Sequence, residues 1–329
     1  MRALVYTAPR TLEIQQLPRP VVQSGEVEVS VEYAGICGSD MSGFLGHSPR
    51  RKPPLVLGHE LIGRLGNGER VVANPLISCG HCAMCLSGCQ NLCDSWRLLG
   101  MDRTQGTYAE FVSLPKTQLI SIPEDLPATR AILAEPLANV VHLFRLAAPH
   151  PFCRLAIIGA GTMGALTLLL AKRIGARDIL VADVNTERLQ VLQQLGADHT
   201  ANVGTPEERN GAVAGNLAGF DLVVDASGAA SARQLAFDLC RPGGQVLLLG
   251  LGSQRSEIDF VTSIRREHRV TMSFAYTPID FQRAVDLLLA GEIDLTPSTE
   301  QAQLEAGQRA FERMTTSPGG TLKMLLSLT

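Results

Sequence analysis

Leu155-Ala156-Ile157-Ile158-Gly159-Ala160-Gly161-Thr162-Met163-Gly164 decides the architecture of this 329-residue chain. Four apolar residues run into a glycine-rich turn, and an apolar helical run, Ala165 to Ala171, follows. The pattern is strand, tight turn, helix. Gly159 permits the turn, Gly161 lets backbone approach a pyrophosphate, and Gly164 lets helix and strand pack closely. The start of the helix, with Thr162 and Met163, offers unpaired N–H groups and partial positive charge to phosphates. A second apolar run, Ile179 to Ala182, ends in Asp183, 24 residues after Gly159. An acid there accepts hydrogen bonds from both ribose hydroxyls and repels a 2′-phosphate, which points to NAD rather than NADP. A bare glycine pattern also marks ordinary turns. The strand, helix and acid around this one set it apart.

Working outward, strand and helix alternate after this point. Apolar runs fall at 155–158, 179–182, near 199–203, and at 221–225, 245–250 and 270–274. Such alternation predicts a doubly wound α/β domain, a parallel sheet covered on both faces. Before it, Ala3 to Tyr6, Leu12 to Ile14 and Val27 to Val31 read as strands, with Gly106 to Val112 a later one. A helix over Phe281 to Ala290 and a strand over Leu322 to Leu326 close the chain.

A length of 329 residues suits about two domains. A formal net charge of −3 gives no reason to expect nucleic acid or an anionic membrane as partner. No apolar run approaches the roughly 20 residues that span a bilayer, and the first residues carry too short an apolar core for a signal peptide. Of eight cysteines, five fall between positions 79 and 93. Clustered cysteines in a chain this size suggest metal rather than a disulfide framework, and so a cytoplasmic protein.

Cys37 is followed 22 residues later by His59 and then Glu60. Thiolate, imidazole and carboxylate are the ligand types of an open catalytic zinc site. Standing alone, Cys37 would read as a small buried hydrophobe and His59 as a core histidine. The sequence around them resembles the zinc-dependent medium-chain dehydrogenases. Gly35-Ile36-Cys37-Gly38-Ser39-Asp40 is similar to that family's first ligand motif and Leu57-Gly58-His59-Glu60 to its second. Ala134-Glu135-Pro136-Leu137-Ala138 resembles the third, in the version with Glu in place of the Cys of liver-type alcohol dehydrogenases. That version is typical of the polyol, sorbitol-like branch. The resemblance extends through the glycine fingerprint to Ser273-Phe274-Ala275-Tyr276.

The resemblance implies a Rossmann NAD-binding domain over 138–274. It also implies a mainly-β GroES-like catalytic domain over 1–137, completed by 275–329. Cys37, His59 and Glu60 are implied as catalytic zinc ligands, with Glu135 either the fourth or a partner reached through water or substrate. Ser39 is implied to take the substrate's hydroxyl proton outward, and Phe44, Glu135 and Tyr276 to contact substrate. Leu249, Gly250, Leu251 and Phe274 are implied at the nicotinamide end and Arg188 along the adenosine ribose. The implied reaction is hydride transfer between NAD and a secondary alcohol or polyol, in a homo-oligomer, dimer or tetramer.

Cys79-x2-Cys82-x2-Cys85 is followed by Cys89 and Cys93. The run through Cys89 matches the spacing of a bacterial iron–sulfur motif, but Gln90 stands where that motif continues with Pro. The alternative is a closed Zn(Cys)4 site from Cys79, Cys82, Cys85 and Cys93 that pins a loop with no core of its own. The family has such a lobe, which makes two zinc ions per chain, one catalytic and one structural, with Cys89 and His81 as bystanders.

Several positions depart from the family pattern. Ser42 stands five residues after Cys37, where many relatives place a proton-relay His, and His47 reads as a loop residue. Ala275 precedes Tyr276 where polyol relatives commonly carry Arg. Arg50-Arg51-Lys52 reads as a solvated basic loop, or as a clamp for a substrate phosphate, since Arg forks match phosphate oxygens in pairs. A small polyol or vicinal diol is therefore the expected substrate and a polyol phosphate the alternative. A nucleotide-binding zinc protein without catalysis is the rival from another class.

Overall fold

A computed structural model describes residues 1–329 as two compact units. One contains Met1–Glu135 and Tyr276–Thr329, the other Pro136–Ala275.

In the first unit, Arg2–Ala8 pairs antiparallel with Thr11–Gln16 and with Leu55–Val56 in a three-stranded sheet. A seven-stranded sheet is built around the long strand Glu26–Ile36. That strand lies between Glu60–Arg64 and the C-terminal strand Lys323–Ser327, antiparallel to both. Gly35 faces Glu60 across one ladder and Leu325 across the other, so two segments 265 residues apart in sequence flank the same residues. Beneath lies a core of Leu4, Tyr6, Val29, Leu57, Tyr108, Phe311 and Leu326, all nearly inaccessible to water. The helix Gly307–Thr316, amphipathic and absent from the sequence expectations, contributes Phe311 to it.

Gly106 to Val112 is not one strand. The ladder with Glu26–Ile36 begins at Phe111, and the preceding residues make only a bridge from Ala109 to Ala3. The reason is local. Gly106, Thr107 and Tyr108 donate backbone hydrogen bonds to Val56, Gly58 and Leu57, which bends this segment around the loop before His59.

The second unit carries six parallel strands in the order His199–Asn202, Arg177–Asp183, Arg154–Ile158, Phe220–Asp225, Cys240–Leu248, Arg269–Met272. The central strands are continuous runs of buried Ile, Leu, Val and Ala, as a sheet covered on both faces requires. The glycine-rich turn lies where the order reverses, between the Arg154–Ile158 strand and the helix Thr162–Arg173. No helix is long and apolar enough to cross a membrane.

Candidate active site and metal centres

Cys37 ends the strand Glu26–Ile36 and serves as N-cap of the short helix Gly38–Phe44. His59 leads into the strand Glu60–Arg64 next to it. The ligand atoms of Cys37, His59 and Glu60 lie within 4.8 Å of one another, so the three could hold a metal ion. Gly58 makes this approach possible. Its φ of +95° suits glycine, and a Cβ there would meet the Tyr108 ring at 2.7 Å. Gly35 does the same across the ladder, because a Cβ on it would run into the Glu60 carboxylate.

Asp40 organises the pocket. It is fully buried and accepts from the Tyr108 hydroxyl at 3.0 Å, with its other neighbours His59 Nδ1 and Arg51 Nε each at 3.4 Å. Burial works against its charge, yet His59, Arg51 and Tyr108 together hold its pKa well below the usual carboxylate range. Conversely, burial opposes a charge on His59, but Asp40 and Cys37 outweigh it and raise the imidazole pKa well above its usual value. With Asp40 behind Nδ1, the imidazole is oriented by a carboxylate, the usual support of a metal-binding histidine.

Glu60 is also buried, and its carboxylate pairs with the buried ammonium of Lys323. Lys323 donates as well to the Ile36 carbonyl at 3.1 Å. Burial and the neighbouring Glu135 raise the Glu60 pKa, while Lys323 pulls it down. Oε1 of Glu60 has no hydrogen-bond donor, while Oε2 faces Lys323.

Glu135, in the first turn of the helix Ala134–Ala147, is not one of the three clustered residues. It faces the buried Tyr276, whose hydroxyl pKa is raised first by burial and then by this carboxylate. Ser39 lies beside Cys37, with Oγ 3.5 Å from Sγ.

Two expectations are corrected here. Phe44, expected against substrate, belongs to the core, 1 % exposed with its ring 5.2 Å from that of Phe311. A helix over Gly38–Phe44, unrecognised in so short and glycine-rich a segment, turns it inward. Arg51 is not a solvated loop residue either. It is 4 % exposed and donates to Ser39 Oγ at 3.0 Å. Arg50 points elsewhere, stacked 4.0 Å above the Trp96 ring and paired with Asp102.

Of the remaining cysteines, Cys79, Cys82, Cys85 and Cys93 bring their sulfurs within 4.8 Å of one another, and Cys89 stays outside. None of the eight forms a disulfide. The Cys82 N–H approaches Cys79 Sγ and the Cys79 N–H approaches Cys93 Sγ, both at 3.4 Å. The backbone N–H groups of His81 and then Cys82 favour the Cys79 thiolate and lower its pKa to about 6. His81 is exposed.

In the second unit Gly159 has φ +110°, and a Cβ on Gly164 would collide with the Gly159 carbonyl. Asp183 accepts from Ala160 N–H at 2.5 Å and from Asn185 N–H at 2.7 Å, tying the glycine turn to the neighbouring strand end. Arg188 lies beside it, its Nη1 3.9 Å from where a Gly161 Cβ would stand. Leu249 is buried and Leu251 exposed, on either side of Gly250. Gly250 packs against Gly228 so closely that neither could carry a side chain.

Lys323 and Tyr108 went unrecognised as site residues in the sequence, and Arg51 stood out there only as part of a basic run. A single Lys within the apolar tail Leu322 to Leu326 was the available signal for the first. Nothing in the sequence separates Arg51 from its two basic neighbours.

Residues 23–124 match the family model described as the alcohol dehydrogenase GroES-like domain, and 162–290 the model described as zinc-binding dehydrogenase. The chain is 31 % identical to an L-threonine 3-dehydrogenase of Sinorhizobium fredii, covering 98 % of both proteins. It is 28 % identical to the sorbitol dehydrogenase of Bacillus subtilis, covering 99 % of this chain and 97 % of that one. Galactitol-1-phosphate dehydrogenase from Escherichia coli superposes with a TM-score of 0.88 at 25 % identity, covering 99 % and 100 % of the two chains.

Proposed function

The chain belongs to the zinc-dependent medium-chain dehydrogenase family, and on that premise we propose that it oxidises a secondary hydroxyl of a small polyol or vicinal diol with NAD, or runs the reverse reduction. Zinc-dependent alcohol or polyol oxidoreduction is the activity of the group as a whole. The observation that carries the finer reading is the buried set of Cys37, His59 and Glu60 next to the pair of Glu135 and Tyr276.

The donor set fits zinc. It offers one thiol, one imidazole already oriented by Asp40, and one carboxylate oxygen without a donor. When bound, the metal supplies the Lewis acidity that eases ionisation of a substrate hydroxyl, and NAD supplies the hydride acceptor. Cys37, His59 and Glu60 would hold the catalytic ion, Cys79, Cys82, Cys85 and Cys93 a structural one. Ser39 would hydrogen-bond the reacting oxygen, and Glu135 and Tyr276 would bind hydroxyls beside it. Gly159 to Gly164, Asp183 and Arg188 would hold the adenosine half of NAD, with Leu249, Gly250, Leu251 and Phe274 at its nicotinamide end.

A phosphorylated polyol is the second reading. Arg50, Lys52 and Arg103 line a cleft of about 720 Å³, although Arg51 is withdrawn from it. We also place the protein in the cytoplasm as a homo-oligomer, the first because five of its eight cysteines cluster between positions 79 and 93 as a metal site does, not as a disulfide framework.

The test is a screen of secondary alcohols, vicinal diols, polyols and their phosphate esters with NAD and NADP, on protein of measured metal content. Two zinc ions per chain and turnover of a secondary hydroxyl are expected. If primary alcohols outperform every secondary alcohol, the substrate class is wrong. Iron with visible absorbance would overturn the assignment of the cysteine lobe.

A further inference from the structure

Arg51 has a built position. Its stem lies along the helix Gly38–Phe44 exactly where glycine leaves room, at Gly43, whose Cβ would fall 2.6 Å from Arg51 Cδ and 3.0 Å from its Cβ. The guanidinium then reaches Ser39 Oγ at 3.0 Å through Nη2 and Asp40 Oδ1 at 3.4 Å through Nε. On its far side Ser39 Oγ lies 3.5 Å from Cys37 Sγ. The adjacent Arg50 anchors the loop from the opposite side, on Trp96 and Asp102.

A guanidinium has only donors and stays protonated in proteins. Ser39 must therefore accept from Arg51, and its single proton is left to point toward Cys37 and whatever oxygen binds there. Nor can Ser39 hand a proton on to Arg51. From this geometry we infer that Arg51 is a positioning residue for the reaction. It locks Ser39 as a hydrogen-bond donor to the substrate oxygen and adds a buried positive charge that favours anionic ligands at that position. The inference rests on the proposal that Cys37 and His59 mark the reaction centre.

Arg51→Gln, Arg51→Lys, Ser39→Ala and the Ser39→Ala/Arg51→Gln double variant test it, each checked for zinc content and thermal unfolding. The first measurement is calorimetric binding of a short-chain carboxylate and of the corresponding neutral amide to the enzyme with bound cofactor. Arg51→Gln should weaken the carboxylate roughly tenfold or more and leave the amide nearly unchanged. Arg51→Lys, keeping the charge, should recover carboxylate binding. In turnover, Arg51→Gln should lower kcat with KM for NAD unchanged, and add nothing in the Ser39→Ala background, because both changes remove one interaction. A wild-type ratio of carboxylate to amide affinity in Arg51→Gln, or losses in the two single variants that simply multiply, would overturn the inference. If Arg51→Gln does not fold, carboxylate binding as in wild type by Arg51→Lys, with kcat lowered no further in a Ser39→Ala/Arg51→Lys variant, supports it, and the opposite pair of results overturns it. Cys37→Ser separates the two levels. If that variant keeps two zinc ions and activity, the site itself is misplaced. If it loses one zinc ion and its activity while Arg51→Gln behaves as wild type, only the role of Arg51 fails.

Discussion

At the scale of single residues, Asp40 and His59 bear directly on the proposed metal centre. Asp40 lies behind the imidazole and raises its pKa, which favours the protonated ring in the metal-free protein. A metal needs the neutral ring, so zinc binding must expel that proton. Titrating zinc into metal-free protein in weak buffer should therefore release protons, and affinity should rise with pH by about tenfold per unit for each proton displaced. The folding contribution of His59 in the metal-free protein has the opposite dependence. A raised pKa stabilises fully below the unfolded value of about 6.5 and fades as pH rises through the folded one. Because the ligand thiols also lose protons, the check is His59→Ala: proton release equal to that of the wild type would mean that His59 is not a ligand. Asp183 makes a second residue-scale prediction. Asp183→Ser should remove the repulsion of a 2′-phosphate and shift kcat/KM toward NADP by about tenfold or more. Equal efficiency with both cofactors in the wild type would refute its role.

At the scale of elements, the site is a product of strand register. Glu60, Gly35 and Leu325 face one another across three neighbouring strands, so a carboxylate, a gap and a lysine-bearing strand end meet at one place. Gly35 must be glycine because any side chain would occupy the volume of the Glu60 carboxylate and touch Ile132 at 3.0 Å. Gly35→Ala should cost about 1–3 kcal/mol by overpacking and, by displacing Glu60, should lower zinc retention as well. Denaturant unfolding and metal analysis after dialysis check both. Wild-type stability with full zinc would show that Glu60 moves freely and is no ligand.

At the scale of the whole molecule, the six-stranded sheet ends in the edge strand Arg269–Met272. Val270 and Met272 on that strand are exposed, as are Phe260, Val261 and Ile264 on the nearby helix Phe260–Arg265 in sequence. An apolar strand edge left open invites another chain, and a second copy is its simplest partner. Met272→Glu should then shift the sedimentation coefficient toward the monomer while the monomer stays folded. A variant that sediments as the wild type does would place any subunit contact elsewhere.

What the sequence determined by itself was local or periodic. Strand, glycine turn, helix and Asp183 follow one another within 29 residues, and each is dictated by short-range sterics or by alternation of apolar residues. The cysteine spacing likewise marked one loop as a metal site, since such a cluster needs no distant partner, and the family resemblance favoured Cys79, Cys82, Cys85 and Cys93 over the run through Cys89. Cys37 and His59 were legible through their resemblance to known motifs. Tertiary structure alone decided the rest. Phe44 turned to the core because the helix Gly38–Phe44 rolls it against Phe311, a residue 267 positions away. Lys323 reached Glu60 because its strand pairs with Glu26–Ile36. Arg51 parted from Arg50 and Lys52 because a buried slot at Gly43 and a buried carboxylate at Asp40 accept only one of the three. Pairing, burial and charge compensation depend on which segments meet, and sequence spacing carries no record of that.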